Sequence, residues 1–128
     1  GGTLTNFKTI ISRVKYLEEL ENKQKSGAFE KYTKKERIEK QREIDKLSIK
    51  FDGLRKLSKL PDILILSSLK QSSLPLHEAK LSDVKVISIV NTDSDPKSVD
   101  YAIPANDNSK KSVELIFNAI KKSVLNQF

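Results

Sequence analysis

From Phe7 onward the apolar positions recur at steps of three and four, through Ile10, Ile11, Val14, Leu17 and Leu20. This lays one stripe along a helix over residues 6–24. Thr5 or Asn6 stands where a side-chain oxygen caps the first turn. Glu19 precedes Lys23, and Glu21 precedes Lys25, by four residues, the order in which such pairs support a helix. Gly27 offers a left-handed stop, and residues 26–29 read as a turn. Thr33-Lys34-Lys35-Glu36 then has the form of a capping box and opens a second helix that runs to about Phe51. Ile44, Leu47, Phe51, Leu54 and Leu57 carry its stripe past a soft break at Asp52-Gly53. Two long helices joined by so short a connection pack antiparallel, so residues 6–52 predict a helical hairpin resembling a short coiled coil.

After residue 60 the period changes. Ile63-Leu64-Ile65-Leu66 and Lys85-Val86-Ile87-Ser88-Ile89-Val90 are short runs bounded by turn signals, the pattern of strands covered on both faces of a parallel sheet. Between them residues 75–82 predict a crossover helix, with Pro75 in its first turn and Leu76, Ala79 and Leu81 near one face. A weaker strand at Tyr101-Ala102-Ile103 leads to a last helix whose apolar face is Val113, Leu115, Ile116, Ala119, Ile120 and Val124, capped by Asn106, Asp107 or Ser109. The class is α/β. Three strands are too few to hide the edges of an open sheet, so further strands are expected from more sequence or from another chain.

Charge sharpens this picture. Residues 1–60 hold 16 Lys and Arg against 9 acids, whereas residues 61–128 hold 8 against 8, so the whole net charge of +7 falls on the first half. Such a segment suits a polyanion, because neutralising phosphates releases counterions; a solvated, salt-bridged helical surface is the plainer alternative. Lys outnumbers Arg 20 to 4, which favours contact with nucleic-acid backbone over reading of base edges. With no Cys and a single His, thiolate chemistry and histidine-built zinc sites are excluded. There is no run of about 18 apolar residues, so no membrane span is expected. The chain also lacks any Met, which suggests a processed product or part of something longer.

Few constellations suggest catalysis. Thr92-Asp93-Ser94-Asp95 follows a strand where α/β proteins bind ligands, and two carboxylates there could hold Mg²⁺ on a phosphate substrate. That is the competing reading, a phosphoryl or nucleotide-handling enzyme. Asp-x-Asp before Pro96 equally reads as a turn, and no Walker loop, Gly-x-Gly-x-x-Gly or Gly-x-Ser-x-Gly supports the enzyme. His77 is expected on the surface of the crossover helix. Phe7 and Phe51 belong to the apolar stripes, while Tyr16 and Tyr32 remain open for stacking. A third reading is a helical-hairpin protein-interaction module that binds no RNA.

Several pieces stand in one order: Gly1-Gly2-Thr3-Leu4-Thr5-Asn6, Thr33-Lys34-Lys35-Glu36, Leu60-Pro61-Asp62, Ile89-Val90-Asn91-Thr92-Asp93-Ser94-Asp95-Pro96, Val99-Asp100-Tyr101 and Ile103-Pro104-Ala105-Asn106-Asp107. Together they resemble the ribosomal protein S-two family of the small subunit, in its bacterial and organellar branch, which has an inserted helical hairpin. The resemblance implies a flavodoxin-like three-layer parallel sheet, only part of it present in this chain, with the hairpin as a coiled-coil insertion. Its domains are 1–59, the leading motif and protruding hairpin, and 60–128, the C-terminal part of the α/β domain. It implies no catalysis, no cofactor and no metal. Its partners are small-subunit rRNA, between head and body, neighbouring small-subunit ribosomal proteins, and a separate chain that could supply the N-terminal half of the domain, since family members carry further strands before the Gly-Gly motif.

For RNA contact the expected residues are Gly1 and Gly2, which permit close backbone approach, Thr5 and Asn6 beside them, and Lys8, Arg13, Lys15, Lys34, Lys35 and Arg37 for phosphates. Asp93, Asp95, Asn106 and Asp107 are expected to shape loops. The bias to Lys, Ile and Asn suggests an AT-rich gene, which favours a mitochondrial ribosome over a plastid or a bacterial cytoplasm.

Overall fold

The computed structural model describes residues 1–126, so the last two positions of the expected 60–128 segment lie outside the described residues. The chain divides into two compact units. One holds Gly2 and Asn6–Leu60; the other holds Gly1, Thr3–Thr5 and the chain from Pro61 onward.

The first unit is the hairpin. Its helix α1 spans Phe7–Lys25 and α2 spans Lys34–Phe51. Asn6 takes the N-cap position of α1, but its side chain caps no amide. Instead its Oδ1 accepts the Thr9 hydroxyl at 2.6 Å, which corrects the expected cap. Gly27 ends α1 with φ 73°, a left-handed conformation in which any side chain would be strained. A 3-10 turn over Ala28–Lys31 follows and drops Phe29 into the hairpin interior, so the turn itself supplies a core residue. The capping box is present: the Glu36 amide donates to Thr33 Oγ1 at 3.4 Å, and the Thr33 amide donates to Glu36 Oε2 at 2.8 Å. A second 3-10 turn at Asp52–Leu54 is the soft break that Asp52-Gly53 predicted.

Leu17, Leu20, Phe29 and Ile44 are buried together between the helices, with Tyr16, Leu47 and Phe51 packed against them. Burial of apolar side chains stabilises by about 25 cal/mol per Å², so this small cluster is what holds the two rods together. Its flanks are polar. The Tyr16 hydroxyl donates to Glu43 at 3.0 Å, and Gln24 pairs with Gln41. The sequence placed Glu21 with Lys25; the structure turns Glu21 to Arg55, whose guanidinium donates to both carboxylate oxygens at 2.7 and 2.8 Å and also to Asp52 at 2.6 Å. A planar fork offers two parallel hydrogen bonds where a lysine offers one point charge, which is why the more distant partner wins.

In the second unit β1 (Ile63–Leu66), β2 (Lys85–Val90) and β3 (Tyr101–Pro104) pair in parallel in the order β1-β2-β3. The register sets Ile63 beside Lys85 and Ile87 beside Tyr101. Helix α3 (Ser73–Leu81) makes the crossover, preceded by a 3-10 turn at Lys70–Ser72, so it starts earlier than Pro75 alone suggested. Asp83 closes it at φ 54°. Leu4, Leu66, Ala79, Val84 and Val86 form the core, and Leu64, Leu76 and Val99 pack on it.

Leu4 enters that core because its amide donates to Glu78 Oε2 at 3.0 Å and its side chain is 7 % exposed. Between β2 and β3 there is only a 3-10 turn, Pro96–Ser98, and β3 is an edge with Tyr101 exposed. Helix α4 (Lys110–Leu125) is capped by Ser109, whose Oγ accepts the Ser112 amide; it buries no residue, and Leu115, Val124 and Leu125 are exposed. The apolar face of α4 is thus only partly covered among the described residues: Val113, Ile116 and Ile120 are half-buried and Val124 is exposed, while Leu115, expected on that face, stands about 200° round the helix from Val113, on the opposite side. The α/β class and the expected strands are all present.

Candidate nucleic-acid interface

Charge is segregated within the hairpin by where its acids go. Lys40 is paired with Glu43 at 2.8 Å, and Arg55 with Glu21 and Asp52. The hydrogen bond from Arg55 holds the Glu21 carboxyl below the usual range, and that from Lys40 does the same for Glu43. Arg37, expected to meet phosphate, directs Nε to the Tyr32 carbonyl at 3.0 Å and Nη2 to the Glu30 carbonyl at 2.9 Å. It ties the interhelical turn to α2.

Lys8 and Lys15 lie two turns apart on one exposed face of α1. Arg13 is exposed on another side of that helix, where it contributes to the field on Glu43. Lys34 and Lys35 are exposed at the start of α2 and stand on adjacent sides of it. Lys35 shares its face with Arg42, Lys46 and Lys50, all exposed. Arg42, Lys46 and Lys50 stand outside the expected phosphate set, although their steps of seven and four from Lys35 mark one stripe. Among the described residues none of Lys8, Lys15, Lys35, Arg42, Lys46 and Lys50 is in an ion pair. Tyr16 is engaged by Glu43, while Tyr32 is 43 % exposed with its ring 5.6 Å from that of Phe29.

The leading residues do different work. Gly2 has φ 87°, and its carbonyl accepts the Asn6 amide at 2.9 Å. Gly1 lies against α3: a Cβ there would stand 3.0 Å from Leu74 Cδ2 and 3.3 Å from Glu78 Oε1. A side chain at position 1 therefore displaces α3 side chains. Thr5 and Asn6 are exposed.

At the strand tips the polar groups are occupied by one another. Asp107 accepts the Ser68 hydroxyl at 2.6 Å and the Asn91 amide at 3.0 Å, which joins the loops after β1, β2 and β3. Asp93 pairs with Lys70 at 2.8 Å, and this contact lowers the acid's pKa while raising the lysine's. Asp95 accepts the Lys97 amide at 3.0 Å and starts the 3-10 turn, and Asn106 accepts the Asn108 amide. A cleft of about 310 Å³ beside them is lined by Val90, Asn91, Thr92, Ser94, Pro96, Ala102 and Pro104. Among the described residues no three His, Cys, Asp or Glu side chains are grouped to hold a metal ion. His77 is exposed on α3, as expected. The carboxylates act as turn and loop fasteners, so the Mg²⁺-dependent enzyme reading has no support.

Comparison with known proteins agrees. The family model described as Ribosomal protein S2 matches residues 1–127. The chain is similar to the small ribosomal subunit protein uS2 of Mycoplasmopsis agalactiae, with 45% identity over 97% of this chain and 39% of that protein. It is also similar to those of Aeromonas salmonicida (41%; 98% and 52%) and Dictyoglomus thermophilum (42%; 98% and 51%). It spans between about two fifths and about half the length of these relatives. A partial parallel sheet with a helical hairpin and a family match along nearly every residue lead to one conclusion: the chain belongs to the ribosomal protein S2 family.

Proposed function

We propose that this chain is a structural constituent of a small ribosomal subunit, binding small-subunit rRNA and neighbouring ribosomal proteins in support of translation and catalysing nothing. The observation that carries the reading is the exposed, unpaired lysine and arginine set of the hairpin in a chain of this family. Lysines of this kind act on phosphates as point charges, so the binding is expected to be strongly salt-dependent and weakly sequence-dependent. The Gly1-Gly2 segment with Thr5 and Asn6, Lys8, Arg13, Lys15, Lys34, Lys35 and Arg37 are the proposed RNA-side residues, Arg37 acting by shaping the turn.

Two further parts of the proposal concern assembly. The hairpin, 1–59 with its leading motif, protrudes as a short coiled coil from the domain to which residues 60–128 belong. The strands beyond β1 and β3, and further cover for α4, come from sequence outside these 128 residues, carried on the same polypeptide or on a separate chain; relatives about twice as long and an α4 with no buried residue support such a complement. The Lys, Ile and Asn bias supports a mitochondrial ribosome, with a plastid or bacterial one as the alternative that the bacterial relatives favour.

The test is binding to deproteinised small-subunit rRNA across a salt series. We expect log K to fall steeply with log salt, and Lys34→Ala with Lys35→Ala to reduce the slope by roughly 1 to 2. An unchanged slope removes these lysines from the contact set, and salt-insensitive or absent binding refutes the RNA role.

A further inference from the structure

The hairpin carries two cationic stripes, not one. Lys8, Lys15 and Lys23 repeat along α1 at intervals of seven and eight, and Lys35, Arg42, Lys46 and Lys50 repeat along α2 at seven, four and four. At 3.6 residues per turn each set falls within about 60° of the direction opposite its helix's buried residues. Those residues are Val14, Leu17 and Leu20 on α1 and Ile44 on α2. Each helix turns its buried stripe toward the other, so the two cationic stripes look away from each other. All seven side chains are exposed, and among the described residues none is in an ion pair. The acids on or beside these faces, Glu18 and Glu19 on α1 and Glu39 and Asp45 on α2, form no ion pair with them among the described residues; Asp45 accepts from Gln41.

We infer that the hairpin is a two-sided RNA bridge, holding one RNA segment on α1 and a second on α2; this rests on the RNA role proposed above. Each stripe runs for about 22 Å along its helix, enough to meet several successive phosphates. Two packed helices are about 20 Å across, more than twice the ~8 Å screening length at physiological salt. A polyanion on one side therefore neither neutralises the other stripe nor repels a second polyanion there. Each stripe is thus free to take its own polyanion, with its own release of counterions.

Two short RNA duplexes test this, one biotinylated and immobilised and one fluorescent, mixed with the full chain at limiting concentration. The chain is expected to bring the fluorescent duplex onto the immobilised one. Lys8→Ala/Lys15→Ala/Lys23→Ala, and separately Lys35→Ala/Arg42→Ala/Lys46→Ala/Lys50→Ala, should each lower that co-capture about tenfold while weakening binding of a single duplex only about twofold, since one face remains. Co-capture that survives the α2 set overturns the bridge and leaves a one-sided binder. Ile38 and Ile49 are exposed on the same face, at 45% and 87%. If Ile38→Ser/Ile49→Ser abolishes co-capture, two copies joined through those isoleucines hold the duplexes and the inference also fails. If the unaltered chain binds neither duplex, the RNA role itself is lost, and the bridge falls with it for a different reason.

Discussion

Asp107 shows how much of the strand-tip architecture rests on single side chains. Its two carboxylate oxygens take the Ser68 hydroxyl and the Asn91 amide, partners 39 and 16 residues away. Nothing local in the sequence encodes such a contact, and Asp107 read there as one of three possible caps for the last helix. Ser109 performs that task. Ser68 is 5 % exposed, so removing its partner strands a buried hydroxyl. Asp107→Ala is expected to cost about 1–3 kcal/mol in chemical denaturation, against a few tenths for a comparable change at exposed Asn106. Arg37 is similar: Nε and Nη2 meet the Tyr32 and Glu30 carbonyls across the interhelical turn, contacts that no local pattern in the sequence marks.

Elements were legible wherever a period or a local motif defines them. The three-four stripes of α1 and α2, the capping box at Thr33 and the β-branched runs of β1 and β2 are physics of near neighbours, and all appear at the expected places. Thr33→Ala removes the cap of α2 and should cost about 1 kcal/mol, read as lost helicity in a urea titration followed by circular dichroism. The Glu21–Arg55 fork was not legible, because it joins residues 34 apart and depends on how the two helices meet. It carries a pH signature. Glu21 and Glu43 are both held below the ordinary glutamate value of 4.5 by their cationic partners. Carboxyls with depressed folded pKa values stabilise fully above the unfolded value and lose that contribution as pH falls through the folded one. The hairpin should therefore keep its helicity at neutral pH and lose stability progressively below about pH 4.5, and Glu21→Gln should flatten part of that acid dependence. An acid profile identical to that of the unaltered chain would show that the fork contributes nothing.

For the whole molecule, the incomplete sheet was visible as a count of strands, but the state of α4 was not: periodicity gives its apolar face without saying whether anything covers it. Val124, on that face, is 53 % exposed. Val124→Ser should leave the stability of the 128-residue chain within about 0.5 kcal/mol of the original, and should weaken its association with sequence bearing the preceding strands. A large destabilisation of the chain alone would mean that α4 is already packed. Sedimentation shows whether these residues serve inside a small ribosomal subunit through a lysine-rich hairpin. The tagged chain is run with ribosomal subunits through a density gradient at moderate salt. The chain is expected to travel with the small subunit and to be released as salt rises, while a variant with alanine at Lys8, Lys15, Lys34 and Lys35 stays near the top. A chain that remains at the top with the free proteins at every salt concentration would contradict that role.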